Sequence, residues 1–484
     1  MRDRGVGGGH STVDGADNKT ASEGRASTST TLFEVRGTAR LPKARNAPLD
    51  KVRVLQRKLY RAAKTNPNRK FGILYDKLCR DDVLQRAYTM ARLNRGAAGI
   101  DEITFEHIEN EVGTDVFLGN IREQLTAKRY KPQPVRRVHI PKSDGKQRPL
   151  GIPIIADRVV QAAAKLVLEP IFEADFKDFS YGFRPEKNAQ QALREVYKWL
   201  NFGCCYVIDA DLKSYFDTIP HDKLLASVRA RVIDRAVVKL LDLWLKAGVM
   251  EDMQVRTVTT GTPQGGVISP LLANLYLHWL DRFWEHKGYG KRPYDAHIVR
   301  YADDFVILCA NKPEFYLGEA KKVIDRLGLS LNEQKTRLVD ARSEPFDFLG
   351  HRFAVQPSKR SGELKTYYYP SPKAMASVKQ RIRMLARGGQ HVNLPELIKE
   401  RFNPLLRGWG NYFRTGNSRL HFKSIDTYTT YTLMIMLRKK HKKPGKGWRD
   451  HPPSWFYDFH ALFNLNKMVA VSDTATRYAR RVPS

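Results

Sequence analysis

Residues 298–310 read Ile-Val-Arg-Tyr-Ala-Asp-Asp-Phe-Val-Ile-Leu-Cys-Ala, with two adjacent acids inside a stretch that otherwise favours β-strand. The flanking residues are β-branched and aromatic, as buried strands require, so the pattern predicts a β-hairpin carrying Asp303 and Asp304 on its turn. Carboxylates are costly to bury without compensation, and a bound metal ion would supply it. Taken alone, a plain hairpin turn explains the pair equally well. A second pair, Asp81-Asp82, lies in polar helix-like sequence and indicates only a solvated face.

A second acidic stretch lies about ninety residues earlier. Residues 204–219 read Cys-Cys-Tyr-Val-Ile-Asp-Ala-Asp-Leu-Lys-Ser-Tyr-Phe-Asp-Thr-Ile, which begins as a buried strand and ends in acids. Acids that follow an apolar strand are well placed to meet an acidic turn on a neighbouring strand, so we pair Asp211 with Asp303 and Asp304. Three carboxylates without Cys or His favour Mg²⁺ over zinc or copper.

The charge of the chain predicts a polyanionic partner. The formal net charge of the 484 residues is +32, and residues 351–484 hold 26 basic and 7 acidic side chains, a net +19. Nucleic acid is the commonest polyanion, and the C-terminal third is expected to bind most of it. Three candidate RNA contacts flank an apolar helical stripe: Arg381, Arg383 and Arg387. Three more begin a basic tract, Arg438, Lys439 and Lys440, which is either a phosphate-binding arm or a solvated tail.

Several other protein classes are disfavoured. The four cysteines show no CxxC spacing, so neither a zinc module nor a disulfide framework is indicated. No apolar run approaches the roughly 20 residues of a membrane span, and the N-terminus lacks the apolar core of a signal peptide. Acids near the N-terminus argue against an organellar transit peptide. The expectation is a soluble, cytoplasmic protein of a bacterial cell.

A basic hairpin is predicted between residues 136 and 153, where Ser-Asp-Gly forms a tight-turn signal between two strand-like pieces. Lys142, Lys146 and Arg148 would project from it. Three converging cations suit a triphosphate, although a solvated basic hairpin is the alternative.

A glycine-rich loop is predicted to lead into a helix at residues 261–276, Gly-Thr-Pro-Gln-Gly-Gly-Val-Ile-Ser-Pro-Leu-Leu-Ala-Asn-Leu-Tyr. Ser269 is a suitable N-cap and Pro270 a suitable first helical residue. The loop would let a nucleotide or template base approach the backbone near Gln264. The helix is expected to turn four residues to the core: Leu272, Leu275, Tyr276 and Trp279.

Several motifs stand in one order along the chain: Lys-Gln-Arg-Pro-Leu-Gly-Ile-Pro (146–153), Asp-Ala-Asp-Leu-Lys-Ser-Tyr-Phe-Asp (209–217), Thr-Pro-Gln-Gly-Gly-Val-Ile-Ser-Pro-Leu-Leu-Ala-Asn (262–274), Tyr-Ala-Asp-Asp (301–304), Asn-Glu-Gln-Lys-Thr (332–336) and Phe-Leu-Gly (348–350). Together they closely resemble the reverse transcriptases encoded by group II introns. Leu406-Arg-Gly-Trp-Gly-Asn-Tyr-Phe413 resembles their thumb, the maturase or X domain. The resemblance covers about residues 50–465.

The resemblance implies an α+β right-hand polymerase, with helical thumb and an antiparallel palm sheet. The expected boundaries are a disordered tail (1–49), fingers (50–190), palm (191–355), thumb (356–445) and a basic C-terminal extension (446–484). Family members often add an HNH endonuclease with paired Cys and clustered His. That pattern is missing from this sequence, so endonuclease activity is not expected.

The resemblance also assigns roles to residues. It makes Asp211, Asp303 and Asp304 the ligands of two Mg²⁺ ions that serve phosphoryl transfer. Incoming dNTP would be bound by Lys142, Arg148, Phe216, Gln264 and Lys335. The ring of Phe216 would clash with a ribose 2′-hydroxyl and so favour dNTPs over rNTPs.

The function implied is that of an intron-encoded RNA-directed DNA polymerase. It would bind group II intron RNA, assist its splicing and copy an RNA template from a DNA primer. Two alternatives remain at this point. One is a maturase that only folds RNA, and the other is a domesticated or defence-associated reverse transcriptase.

Overall fold

The computed structural model describes residues 50–141, 147–251, 254–256, 260–261, 265–359, 361–442 and 451–469. The predicted N-terminal tail, Lys142, Lys146 and Gln264 lie outside these ranges, as do residues 446–450 and 470–484 of the predicted C-terminal extension. Within them the strands are β1 (Val135–Pro141), β2 (Gln147–Ile152), β3 (Tyr206–Ala210), β4 (Val249–Glu251), β5 (Gln254–Arg256), β6 (Ala296–Tyr301), β7 (Asp304–Cys309), β8 (Arg337–Asp340), β9 (Phe346–Phe348), β10 (His351–Pro357) and β11 (Leu364–Pro370).

Helices flank these strands throughout the described chain. They are α1 (Lys51–Thr65), α2 (Tyr75–Leu78), α3 (Asp81–Leu93), α4 (Phe105–His107), α5 (Thr114–Thr126), α6 (Ile155–Glu173), α7 (Ala189–Asn201), α8 (Tyr215–Thr218), α9 (His221–Arg229), α10 (Arg235–Lys246), α11 (Ser269–Lys287), α12 (Pro313–Arg326), α13 (Pro372–Gly388), α14 (Leu394–Leu397), α15 (Asn403–Phe413), α16 (Arg419–Lys440), α17 (Pro453–Asp458) and α18 (Asn466–Val469). Two π-helical turns, Ile108–Val112 and Ile398–Phe402, precede α5 and α15.

The central sheet has the strand order β6-β7-β3-β8 and is antiparallel throughout. Strands β3, β6 and β7 are largely buried on both faces, because alternate side chains enter different cores. Ile208 and Ile307 face a core that includes α6 and α11. Val207 and Val306 face a second core, shared with α7 and the β9–β11 strands. The predicted hairpin over residues 298–310 is present as β6 and β7.

The predicted basic hairpin is also present, as the antiparallel pair β1–β2. Its register runs from Arg136 opposite Ile152 to Pro141 opposite Gln147. Strand β4 joins β1 in parallel and β5 follows, which gives a second sheet of order β2-β1-β4-β5.

Helix α11 departs from the prediction in two details. Ser269 is its first residue rather than its cap, since Ile268 precedes the helix. The prediction that Trp279 faces the core is wrong: the residue is 39% exposed, and its indole N–H donates to the Ser227 hydroxyl at 2.9 Å. Leu272 and Tyr276 are buried as predicted.

The C-terminal helices form their own core. Helices α13 and α16 pack together, and residues of α17 and the segment after it, including Phe456 and Leu465, belong to the same cluster. The Asp426 carboxylate accepts the backbone N–H groups of Leu465 and Asn466 at 3.1 Å each, which fixes that segment to α16. None of the helices in the described ranges is long and apolar enough to cross a membrane. Strands β9–β11 form a third sheet of order β11-β10-β9. The chain is thus an α+β protein in which this sheet follows the other two in sequence and precedes a helical C-terminal cluster.

Candidate active site

The predicted acids lie at one end of the central sheet. Asp211 follows β3 directly and Asp304 is the first residue of β7. Because Ala210 pairs with Phe305, positions 211 and 304 are the next pair outward in the same antiparallel register. Asp303 occupies the turn between Tyr301 and Asp304, which pair with each other. The backbone therefore brings all three positions to one sheet edge.

The carboxylate of Asp211 has two close partners from the Asn-Glu-Gln-Lys-Thr segment. The Lys335 ammonium lies 3.2 Å and the Asn332 amide nitrogen 3.1 Å from its Oδ2. The Asn332 backbone N–H also donates to the Asp211 carbonyl at 2.8 Å. The structure thus places Lys335, predicted at the dNTP site, beside one of the predicted metal ligands. Asn332 was not predicted as a site residue, although it lies three residues before Lys335 in the same motif.

Asp209, another acid of the second acidic stretch, has different surroundings from Asp211. Asp209 lies within β3, and its carboxylate is 3.3 Å from the Arg337 guanidinium. Burial raises the pKa of Asp209 above its ordinary value, although Arg337 opposes the rise. Asp209 is therefore held by a neighbouring strand, whereas Asp211 and Asp304 stand at the strand ends.

The three acids suit a metal ion in their chemistry but not in their side-chain arrangement. The donors are carboxylate oxygens, the type that Mg²⁺ prefers, and Asp303 and Asp304 are half-buried and exposed respectively. In the described ranges, however, no three or more His, Cys, Asp or Glu side chains form a group that could hold a metal ion. The Asp211 carboxylate is engaged by Lys335 instead. The residues therefore fit a divalent cation in the kind of donor and in backbone position, but their side chains do not form such a group in this arrangement.

The start of the glycine-rich loop lies against α8, the one-turn helix that carries Phe216, which we call the Phe216 turn. The half-buried Phe216 ring packs edge-on against Tyr215, with centroids 5.4 Å apart. Gly261 has φ +91°, and a Cβ there would lie 2.8 Å from the Asp217 Cα. Its N–H donates to the Ile219 carbonyl at 2.8 Å. Only glycine fits so close to this backbone, so the loop and the Phe216 turn are positioned together.

The far end of the same loop touches the basic hairpin. Gly265 has φ +114°, and a Cβ there would overlap the Gly151 carbonyl of β2. Arg148 lies on β2 opposite Ile140, but its side chain is not among the described ones. The loop therefore bridges the strand that bears Arg148 and the turn that bears Phe216, while Lys142 and Gln264 remain outside the described residues.

A buried polar group behind the turn with Asp303 and Asp304 was also not predicted. Arg300 and Asp281 are each 0% exposed and form an ion pair, and Arg300 also donates to the Asn274 side chain and the Ala302 carbonyl. One signal was available: an arginine inside an apolar strand needs a buried partner. The identity of that partner was not readable from the local sequence.

The candidate RNA-binding cations lie on the C-terminal helices. Arg381 and Arg387 are exposed on α13, and Lys439 is exposed at the end of α16. Arg383 donates to the Tyr428 hydroxyl through Nε and Nη2 at 3.2 and 3.1 Å. Lys440 donates to the Val392 carbonyl at 3.0 Å, and Arg438 is half-buried. These side chains therefore belong to one helical unit, in which α13 packs against α16.

Two family models match the chain in its central and C-terminal parts. Residues 140–353 match the reverse transcriptase (RNA-dependent DNA polymerase) model, and residues 375–452 match the group II intron maturase-specific domain. The first match contains both acidic strands, the glycine-rich loop and Lys335. The second contains α15 and α16 and all but the first three residues of α13. A reverse transcriptase domain implies dependence on a divalent metal and a right-hand polymerase-like α+β fold.

Individual proteins are similar to this chain over more than half of its length. Protein YkfC of Escherichia coli K12 is 35% identical over 350 residues, 64% of this chain and 90% of YkfC. The group II intron-encoded protein LtrA of Lactococcus lactis is 32% identical over 361 residues, 61% of this chain and 59% of LtrA. A chain of a solved partial Cas6-RT-Cas1–Cas2 complex matches 52% of this chain and 42% of its own length. The sequence identity is 23% and the TM-score is 0.33. The chain spans less than two thirds of LtrA. By its two matched domains and by its identity to YkfC and LtrA, the chain belongs to the family of group II intron-encoded reverse transcriptases with a maturase domain.

Proposed function

We propose that this chain extends a DNA primer on an RNA template, and that the RNA it serves is a group II intron whose splicing it assists. The observation that carries the proposal is the register of the central sheet, which sets positions 211 and 304 side by side next to the turn with Asp303. Carboxylates on rigid strand ends suit a reaction in which positioning and charge neutralisation supply most of the rate.

Asp211, Asp303 and Asp304 are the proposed ligands of two Mg²⁺ ions. Bound there, the metal would lower the pKa of the primer 3′-hydroxyl and neutralise charge on the triphosphate. The protein's own part is to hold these oxygens at the end of the sheet. Lys335 would leave Asp211 and turn toward the nucleotide, because the exposed lysine side chain is long and flexible.

The nucleotide site is proposed on the surface between the glycine-rich loop, β2 and the Phe216 turn. Two close approaches, Gly261 to Asp217 and Gly265 to Gly151, support this by joining the three elements. Arg148 and Lys142 would bind the triphosphate and Gln264 would line the loop. Phe216 would exclude a ribose 2′-hydroxyl by contact with its ring.

We assign residues 50–190 to fingers, 191–355 to palm and 356–445 to thumb, with two adjustments. Strand β10 crosses residue 355 and pairs along its length with β11, so the thumb is better begun near Ser371, which caps α13. Residues 451–469 pack into the same core as α13–α16, so this part of the C-terminal extension belongs with the thumb.

The proposed RNA surface is the thumb, with Arg381, Arg383, Arg387, Arg438, Lys439 and Lys440 as contacts. Its support is the net charge of +19 over residues 351–484 and the placement of these residues on one helical unit. Phosphate contacts of this kind bind RNA in a salt-dependent way. A cytoplasmic site of action is proposed, because intron transcripts and dNTPs would both be available there.

The deciding experiment measures dNTP incorporation by the purified full-length chain on an RNA template annealed to a DNA primer. Extension with Mg²⁺ that stops with a chelator is the expected result. A protein that binds and splices intron RNA but never extends a primer under any metal condition would instead be a splicing-only maturase. Extension without preference for intron RNA would favour a domesticated or defence-associated enzyme.

A further inference from the structure

A buried polar cluster lies directly behind the turn that carries Asp303 and Asp304. Arg300 is the penultimate residue of β6, and its guanidinium turns back to donate from Nη1 to the carbonyl of Ala302 at 2.9 Å. Ala302 has φ +59°, a conformation that a non-glycine residue adopts only where its surroundings hold it. The guanidinium therefore fixes the peptide that immediately precedes Asp303.

The guanidinium is itself fixed by α11. Its Nε donates to the Asp281 carboxylate at 2.9 Å, and Nη1 also donates to the Asn274 side-chain oxygen at 3.0 Å. Complete burial alone would raise the pKa of Asp281, yet Arg300 holds it below the ordinary value, so the pair is ionised. Four hydrogen bonds from the buried guanidinium restrict this ion pair to a narrow range of geometries.

Helix α11 reaches both acidic segments from adjacent residues. The Asn274 amide nitrogen donates to the Gly182 carbonyl at 2.7 Å, and Gly182 lies so close to Ala302 that a Cβ there would overlap the Ala302 nitrogen. One residue earlier, the Ala273 carbonyl accepts the Tyr215 hydroxyl at 2.6 Å. Tyr215 lies four residues after Asp211. A single helix thus connects the Asp211 segment to the turn with Asp303 and Asp304.

We propose that Arg300, Asp281 and Asn274 are positioning residues, which hold the Ala302–Asp304 turn in register with Asp211 through α11. They touch neither substrate nor metal. The inference rests on the proposed polymerase function and deepens it, because it assigns the alignment of the catalytic carboxylates to named residues outside the matched acidic motifs. A displacement of catalytic groups by about 1 Å is enough to cost roughly 100-fold in rate.

The test replaces the ion pair by apolar residues of similar size, Arg300→Met with Asp281→Leu. Such replacements of buried pairs are often neutral for stability, so the fold is expected to survive. We expect a melting temperature within a few degrees of the wild type, unchanged intron RNA affinity and unchanged dNTP KM, but a fall in kcat of about 100-fold. The matched control is Arg231→Met with Asp175→Leu, a mostly buried pair 3.0 Å apart whose arginine binds backbone carbonyls in the N-terminal helical region.

A second variant keeps the test decisive if the double replacement does not fold. Gly182→Ala adds one methyl group that must push the Ala302 backbone, while Gly119→Ala adds the same group where nothing lies within 4 Å. We expect a kcat decrease of at least tenfold in Gly182→Ala, without a change in KM, and wild-type kcat in Gly119→Ala. Wild-type kcat in a folded Arg300→Met/Asp281→Leu protein, or in Gly182→Ala, would overturn the inference. Failure of the wild-type chain to extend primers would instead overturn the proposed function.

Discussion

The ammonium group of Lys335 lies 3.2 Å from the Asp211 carboxylate, although the two residues are 124 positions apart. Lysine thus neutralises an acid that we propose to be a metal ligand. A divalent cation and a lysine ammonium would compete for the same oxygens, since both are attracted to the same negative charge. The Lys335 side chain is 63% exposed and that of Asp211 33%, so this pairing is weak enough to be exchanged.

Removal of the Lys335 charge should therefore strengthen metal binding to the free protein. Exposed ion pairs contribute roughly 0.2–1 kcal/mol, so Lys335→Met should lower the Mg²⁺ dissociation constant by up to about fivefold. Calorimetric titration of Mg²⁺ without nucleotide measures this. Lys322→Met removes a comparable lysine, 2.7 Å from Glu319, and should change nothing. Weaker Mg²⁺ binding in Lys335→Met would show that the lysine assists the metal site instead.

Replacement of Asp303 by Asn should separate polymerisation from RNA binding. The amide keeps the size of the side chain but removes the negative charge, so primer extension should fall by about 1000-fold or more. Intron RNA binding and splicing should stay within twofold of the wild type, because the RNA contacts are proposed on the thumb. Asp81→Asn, at an exposed residue paired with Arg122, is the control and should behave as the wild type. Loss of extension and splicing together would refute a separable active site.

The β6–β7 hairpin, the basic hairpin of β1 and β2, and helix α11 could be predicted from the sequence because their signals are local. Strand periodicity, turn residues and a proline at a helix start each act within a few positions. Trp279 was misplaced because the helical repeat gives the buried stripe but not its edge, which here is set by Ser227 on a different helix. A partner from another element is tertiary information.

The candidate site could likewise be predicted only in part. Asp211, Asp303 and Asp304 could be singled out because acids at strand ends are conspicuous, and their meeting at one end of the sheet followed from simple strand pairing. The partners of Arg300 could not be predicted, since Asp281 and Asn274 lie 19 and 26 positions away and are brought in by α11 packing. Similarly, nothing local in the Asn-Glu-Gln-Lys-Thr motif indicated that its lysine would lie on Asp211.

Sugar selection should depend on the Phe216 ring. Phe216→Ala would remove the surface that a ribose 2′-hydroxyl meets, so the ratio of kcat/KM for rNTP to that for dNTP should rise by about 10- to 100-fold. Single-nucleotide incorporation with each substrate measures the ratio. Phe202→Ala, at a ring 72% exposed on the end of α7, is the control. A ratio unchanged in Phe216→Ala would mean that another residue discriminates the sugar.

Asp157 should make the stability of the protein depend on pH. Burial raises its pKa to about 6, although hydrogen bonds from the Tyr130 hydroxyl and the Gln133 N–H oppose the rise. The folded state therefore retains a proton that the unfolded state releases near pH 4. Protonated Asp157 therefore makes its full contribution to the free energy of unfolding below about pH 4. This contribution is lost as the pH rises to about 6, which lowers the free energy of unfolding by up to roughly 3 kcal/mol.

The asparagine side chain in Asp157→Asn carries no charge at any pH, so this variant should not lose stability as the pH rises from about 4 to about 6. Urea denaturation between pH 4 and 7 should show the free energy of unfolding of the wild type falling relative to the variant as pH rises. Asp178→Asn, at a fully exposed acid, should follow the wild-type curve. Curves for the wild type and Asp157→Asn that run parallel over this range would contradict the assignment.

The RNA affinity of the chain should fall steeply with salt, and part of that slope should come from α13. Each phosphate contact contributes about 0.7–0.9 to the slope of log K against log salt. Replacement of Arg381, Arg383 and Arg387 by Gln should therefore reduce the slope by about 2, as measured by equilibrium binding to intron RNA at several salt concentrations. The matched control neutralises Arg122, Lys128 and Arg129, three exposed cations on and just after α5. If this control lowers the slope and the α13 variant does not, the main RNA-binding surface lies on the N-terminal helices rather than on the thumb.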